Sequence, residues 1–118
     1  MPRPKTGDKR AAILRGATTT IAVDGVGAST ASIAKAAGVA EGSLFRYFSD
    51  KDKLINELYR ELKVDMRSAM IAGFPLTGSL RKRVQYIWNA YVTWGMESPA
   101  KRRAMLQLSV SERITGQS

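Results

Sequence analysis

The sequence predicts an all-α fold, and three observations carry that reading. Apolar residues recur at three- and four-residue spacing, as in Ile13, Leu14, Ala17, Ile21 and Ala22, or Leu54, Leu58, Leu62 and Met66; this is the period of an amphipathic helix. Each run closes on a stop signal: Gly25 and Gly27, Gly38, Gly73-Phe74-Pro75, and Glu97-Ser98-Pro99. Hydroxyl residues stand where a helix start needs a side-chain acceptor for its free backbone N–H groups.

Met1 to Gly7 holds two prolines, a glycine and two bases, and reads as a mobile basic arm in which Arg3 and Lys5 could reach a phosphate or a minor groove. The first helix is expected over Asp8 to Asp24, with burial of its stripe overriding the weak helix propensity of Thr18 to Thr20. Ser29, or Thr30 one residue later, caps a short second helix that buries Ile33, Ala34 and Ala37. Gly38 ends it, because glycine adopts a positive φ without a Cβ clash. Val39 lies in the turn, and Glu41 opens a third helix, its carboxylate suited to the positive end of the dipole. Leu44 and Phe48 face inward there, while Ser43, Arg46 and Tyr47 point elsewhere. A fourth helix runs from Ser49 to Ala72, with Ser49-x-x-Asp52 as its capping box. Thr77 or Ser79 caps a fifth, whose buried face is expected to be Leu80, Val84, Ile87, Trp88, Tyr91, Val92 and Gly95. The sixth is expected from Pro99, with Ser98 as N-cap, to about Ile114, with Met105, Leu106 and Leu108 apolar. Gly116 to Ser118 has no evident role.

Composition narrows the function. The 118 residues suffice for one domain with a modest core. With no cysteine there is no disulfide framework and no thiolate metal site, and with no histidine the commonest general base and metal ligand is missing. No catalytic residue, metal ligand or cofactor site is expected, and the chain is not read as an enzyme. Apolar runs are too short to span a bilayer and no signal peptide is evident, so a cytoplasmic protein without membrane contact is expected. Nineteen Lys and Arg against ten Asp and Glu give a net charge of +9, which favours a polyanionic partner. The excess is spread along the chain and does not locate the site: residues 1–60 carry ten bases and six acids, residues 61–118 nine and four.

The helix-turn-helix spacing of residues 29–53 suggests a partner more directly. A helix this short is held by packing on one side, and its other side carries small, basic and hydroxylic groups that suit the major groove. The run Ile33-Ala34, Ala37-Gly38-Val39, Gly42, Leu44-Phe45, Tyr47-Phe48, Lys51 and Leu54 resembles, without gaps, the signature of the TetR family of bacterial transcriptional repressors. The likeness covers residues 8–60 well and the remainder loosely. It implies a homeodomain-like three-helix head followed by a partial helical effector domain: residues 1–7 a basic arm, 8–53 the DNA-binding domain, 54–118 a linker helix and partial ligand-binding and dimerisation domain. The fourth helix would set the spacing between the two heads of a dimer.

The resemblance also implies roles by position. Ser29, Thr30, Glu41, Gly42, Ser43, Phe45, Arg46, Tyr47 and Lys51 are the expected DNA-binding residues. Thr30 would meet a phosphate through its hydroxyl, Ser43 and Tyr47 offer hydroxyls, and Lys51 grips the backbone as a charge. Arg46 either reads a guanine edge or contacts a phosphate. Gly42 allows close approach. Phe45 departs from the family's frequent tyrosine, losing a hydroxyl, and Glu41 places a negative charge at the groove, either to accept from a cytosine amino group or to favour the helix start. Trp88, Tyr91, Trp94 and Met96 could line an apolar effector pocket or simply pack in a core. Arg81-Lys82-Arg83 and Lys101-Arg102-Arg103 read as solvated faces. The expected partners are double-stranded DNA with a palindromic operator, a small-molecule effector, and a second copy if the full family architecture is present. Members of the family are usually longer and dimerise through two later helices, which are not expected within these 118 residues, so apolar surface on the fifth and sixth helices is expected to be exposed. A non-specific architectural DNA-binding protein and a helical interaction module without DNA binding remain the competing readings.

Overall fold

A computed structural model describes residues 6–111, with side chains from residue 8 onward. Six helices follow in order: α1 (Thr6–Asp24), α2 (Thr30–Ala37), α3 (Glu41–Tyr47), α4 (Lys51–Ile71), α5 (Leu80–Glu97) and α6 (Pro99–Ser109). The described residues contain no strand. Helix α1 takes in Thr6 and Gly7, so the predicted arm is shorter than expected; Arg3 and Lys5, like Ile114 and Gly116 to Ser118, lie outside the described residues.

The core grows from the predicted stripes. Ile13, Leu14, Ala17 and Ile21 of α1 meet Ile33 and Ala34 of α2, Leu44 and Phe48 around α3, and Leu54, Ile55, Leu58 and Leu62 of α4. Ala104 and Leu108 of α6 join the same cluster, so the first four helices and the last share one continuous core. Helix α1 packs chiefly on α2 and α6, and α4 on α5 and α6. The α1–α2 contact is close enough to exclude a side chain at Gly16, where a Cβ would fall 2.7 Å from the Ala37 amide nitrogen and 2.9 Å from the Ile33 carbonyl oxygen. Thr18 and Thr20 are buried without an unsatisfied hydroxyl, since each bonds the carbonyl four residues back, Leu14 at 2.8 Å and Gly16 at 2.7 Å. That local bond lets poor helix formers sit inside a helix.

Several boundaries and faces differ from expectation. Helix α4 starts at Lys51, and Asp50, not Ser49, is its N-cap, with a carboxylate oxygen 2.7 Å from the Lys53 amide. Asp50 is extended (φ −156°, ψ 176°), as a cap must be, and its charge suits the helix start. Helix α6 ends at Ser109 because Val110 (φ −99°, ψ 2°) has left the helical region; Ser98 occupies its N-cap position without a side-chain capping bond. Ser79 does cap α5, accepting from the Lys82 amide at 3.2 Å.

The largest correction concerns α5. Its apolar stripe faces outward: Leu80 is 76% and Trp88 63% exposed, and Val84, Tyr91 and Val92 are exposed as well. The buried positions of α5 are instead Trp94, which reaches α4, and Gly95, which lies against Arg102 of α6, with Ile87 half-buried. The indole N–H of Trp94 donates to Asp65 of α4 at 2.8 Å, and Lys101 of α6 reaches the same carboxylate oxygen at 3.1 Å. A polar tie among three helices thus orients α5, and orientation, not apolar content, decides which stripe is covered. Leu106 of α6 is exposed as well, so α5 and α6 do present the apolar surface expected of them.

Candidate nucleic-acid interface

Helix α2, the turn and α3 are held by local bonds. The Ser29 hydroxyl oxygen accepts from the Ser32 amide at 3.0 Å and so caps α2. Gly38 (φ 76°) closes it, and the Val39 N–H donates to the Ala34 carbonyl at 3.0 Å; the pattern is that of a left-handed helix terminus. Ala40 is the N-cap of α3 and offers no side chain, but its carbonyl accepts from Ser43 and Leu44. Leu44 and Phe48 are fully buried and fix the inner side of this seven-residue helix.

The other side is open. Glu41, Gly42, Phe45 and Arg46 are exposed. Arg46 makes no ion pair with any described residue, and a Cβ built at Gly42 meets nothing within 4 Å. Among the described residues no contact therefore requires glycine there. Ser43 and Tyr47 are only half-exposed, and Tyr47 packs against the core, which qualifies the expectation that it points away. Lys51 begins α4 beside this face and is half-buried. Thr30 and Glu41 are not independent surface groups: the Thr30 hydroxyl donates to the Glu41 carboxylate at 2.7 Å. The structure thus gathers all nine residues named from the sequence onto α2 and its N-cap, α3 and the start of α4, with Ser29, Thr30 and Glu41 already engaged.

The proposed effector set is less coherent. Trp88 and Tyr91 stack at a tilt with ring centroids 6.0 Å apart and line an open cavity of about 390 Å³ with Met70, Val84 and Ile87. Tyr91 and Trp94 line a second, of about 420 Å³, with Tyr59, Met66 and Met105. Met96 is 77% exposed and lines neither. Of the basic triplets, Arg83 lies over the Phe74 ring at 5.2 Å and Lys101 pairs with Asp65, whereas Arg81, Lys82, Arg102 and Arg103 are solvated as expected.

Two features escaped the sequence. Arg10 of α1 pairs with Glu61 at 3.1 Å and Glu57 at 3.6 Å and lies over the Phe48 ring at 5.5 Å, joining α1 to α4. Asp65 collects Trp94 and Lys101; the hydrogen bond from Trp94 holds its carboxyl below the usual value of 3.8, partial burial opposes this, and Lys101 adds to the lowering. Both unite positions far apart in the chain, and no local pattern marks them. Among the described residues no helix is long and apolar enough to cross a membrane, and no group of three or more acidic side chains is placed to hold a metal ion.

Residues 13–58 match the family model of bacterial regulatory proteins, tetR family. The fold superposes on a tetR family transcription regulator from Shewanella sp. with a TM-score of 0.84 at 33% identity, over 92% of this chain and 58% of that one. A TetR family transcription regulator from Marinobacter aquaeolei gives 0.84 at 26% identity over the same shares, 92% and 58%. A TetR family protein from Vibrio parahaemolyticus gives 0.72 at 32%, over 85% of this chain and 53% of that one. The chain thus spans somewhat more than half the length of these relatives. With the gapless run from Ile33 to Leu54 on a packed helix-turn-helix, this chain belongs to the TetR family of bacterial regulatory proteins.

Proposed function

We propose that this chain reads double-stranded DNA through the outer face of α3, as the DNA-binding part of a transcription regulator. The observation that carries the proposal is the division of α3 into two sides. Leu44 and Phe48 anchor it in the core, while Gly42, Phe45 and Arg46, which has no ion pair among the described residues, face solvent. A short helix immobilised from behind, with a guanidinium and a bare glycine in front, suits the width and hydrogen-bonding edges of the major groove. Family membership supports the same reading over the same residues.

In this reading residues 6–53 are the DNA-binding unit, preceded by the bases Arg3 and Lys5, and residues 54–118 are a linker helix with part of an effector and dimerisation domain. Arg46 reads a base edge; Lys51, Ser43 and Tyr47 hold phosphates or sugar and set register. The partner is a palindromic operator engaged by two copies, and the regulator is a repressor. A small ligand releases it by preferring the head spacing unsuited to DNA, which lowers operator affinity by the difference in its affinity for the two states. The cavity at Trp88 and Tyr91 is the candidate for that ligand.

The test is selection of duplexes from a random-sequence pool, followed by binding of the winner and a scrambled duplex across a salt series. A palindrome retained at moderate salt supports a sequence-reading dimer, and a lone half-site supports reading by one head. Loss of both duplexes together as salt rises would reduce the protein to a charge-and-shape binder. No binding at low salt would leave a helical interaction module.

A further inference from the structure

Thr30 and Glu41 are the first residues of α2 and α3, and the turn brings these two helix starts within hydrogen-bond distance, 2.7 Å between Oγ1 and Oε2. The polarity of that bond is fixed by chemistry. A hydroxyl has one proton to give, and a carboxylate only accepts. A DNA phosphate oxygen also only accepts. The proton that Thr30 would offer a phosphate is therefore the one Glu41 holds. The neighbouring Ser29 does not replace it, since its own hydroxyl proton goes to Ser32 at 3.0 Å. Glu41 is, moreover, the single acidic side chain of α3 and is exposed on its first turn. Near phosphates its charge is unfavourable, but in the major groove a carboxylate has one good partner, the amino group of cytosine.

We infer that Glu41 is a specificity-determining residue: its carboxylate withholds the Thr30 hydroxyl from phosphate, and releases it where a cytosine amino group in the major groove takes the place of Thr30. On a duplex without that cytosine the Thr30–Glu41 bond stays closed, the phosphate contact is not made, and the carboxylate faces the backbone uncompensated. On a cognate duplex the cytosine amino group donates to Glu41 and the Thr30 hydroxyl turns to a phosphate oxygen. A phosphate contact, which alone carries no sequence information, becomes conditional on a base. The inference rests on the reading of α3 as the DNA-facing helix.

The test compares the wild-type chain with Glu41→Ala, Thr30→Val and the double variant. The probes are a duplex recovered by selection and a scrambled duplex of the same composition, with melting temperatures measured in parallel. Glu41→Ala is expected to bind the selected duplex about tenfold more weakly, within the range of one lost base contact. It is expected to bind the scrambled duplex severalfold more tightly, because a charge is gone and Thr30 is free. In the double variant the gain on the scrambled duplex should shrink to the part owed to the lost charge. The inference is overturned if Glu41→Ala does not tighten scrambled binding, or if that gain is undiminished by loss of the Thr30 hydroxyl. Equal weakening on both duplexes with a lowered melting temperature would make the pair a bolt between helices and overturn it too. If the wild-type chain binds no duplex, the DNA-binding reading fails and the inference with it, an outcome distinct from all of these.

Discussion

Gly16→Ala sets two effects of opposite sign against each other. Alanine in place of glycine inside a helix ordinarily stabilises by about 1 kcal/mol. At Gly16 the added methyl would lie 2.7 Å from the Ala37 amide nitrogen, 2.9 Å from the Ile33 carbonyl oxygen and 2.9 Å from the Ala37 Cβ. Two of these atoms are backbone and none is the end of a flexible side chain, so α2 must move as a body. Moving it loosens Ile33 and Ala34 from the core. Forced overpacking of this kind costs about 1–3 kcal/mol, and the rigid neighbours place this case at the upper end, so the net expectation is a loss of about 2 kcal/mol. For a chain of this size that is a fall in melting temperature on the order of 8 °C. The assay is thermal unfolding followed by far-ultraviolet circular dichroism, with Gly42→Ala as control. A Cβ at Gly42 meets nothing within 4 Å, so that variant should gain roughly 0.5–1 kcal/mol from helix propensity and unfolded-state entropy. If Gly16→Ala proved as stable as wild type, the reasoning from close approach would be wrong.

Other outcomes follow from the same geometry. Asp50→Ala should cost about 1 kcal/mol in urea unfolding and Ser49→Ala far less, because Asp50 makes the α4 capping bond; the reverse order would restore Ser49 as the cap. The Asp65 carboxyl titrates below 3.8 in the folded chain, so its contribution is present above that unfolded value and is lost as pH falls through the folded one. Wild type should therefore exceed Asp65→Asn in stability at neutral pH, with the gap closing below about pH 4; a gap that persists in acid would refute the assignment. Arg46→Ala should weaken the selected duplex more than a scrambled one, by about 1–3 kcal/mol if it reads a guanine edge. Equal loss on both would make it a phosphate contact.

Much of the head was legible because its signals are local. The Ser29 cap, the Gly38 terminus and the inward pair Leu44 and Phe48 are each decided within a few residues, and the structure shows all three. The start of α4 was missed by a narrow margin: Ser49 and Asp50 are adjacent and both good caps, and the extended backbone at Asp50 settles the choice. In α5 the sequence marked an apolar stripe through Leu80, Val84 and Trp88, yet periodicity names a face without naming what the face meets. Among the described residues α4 covers the Trp94 side instead, and the stripe remains open.

What the sequence by itself determined was the all-α class, the helix-turn-helix and the family, all written in short-range spacing and in one uninterrupted motif. Tertiary structure alone decided which groups are already engaged. It drew Arg10 to Glu57 and Glu61, Trp94 and Lys101 to Asp65, and Thr30 to Glu41. Such bonds join positions that no periodicity relates, because they depend on how helices cross once their apolar faces are buried. A hydroxyl or carboxylate that looks free in the chain can thus be committed in the fold, as those of Thr30 and Glu41 are.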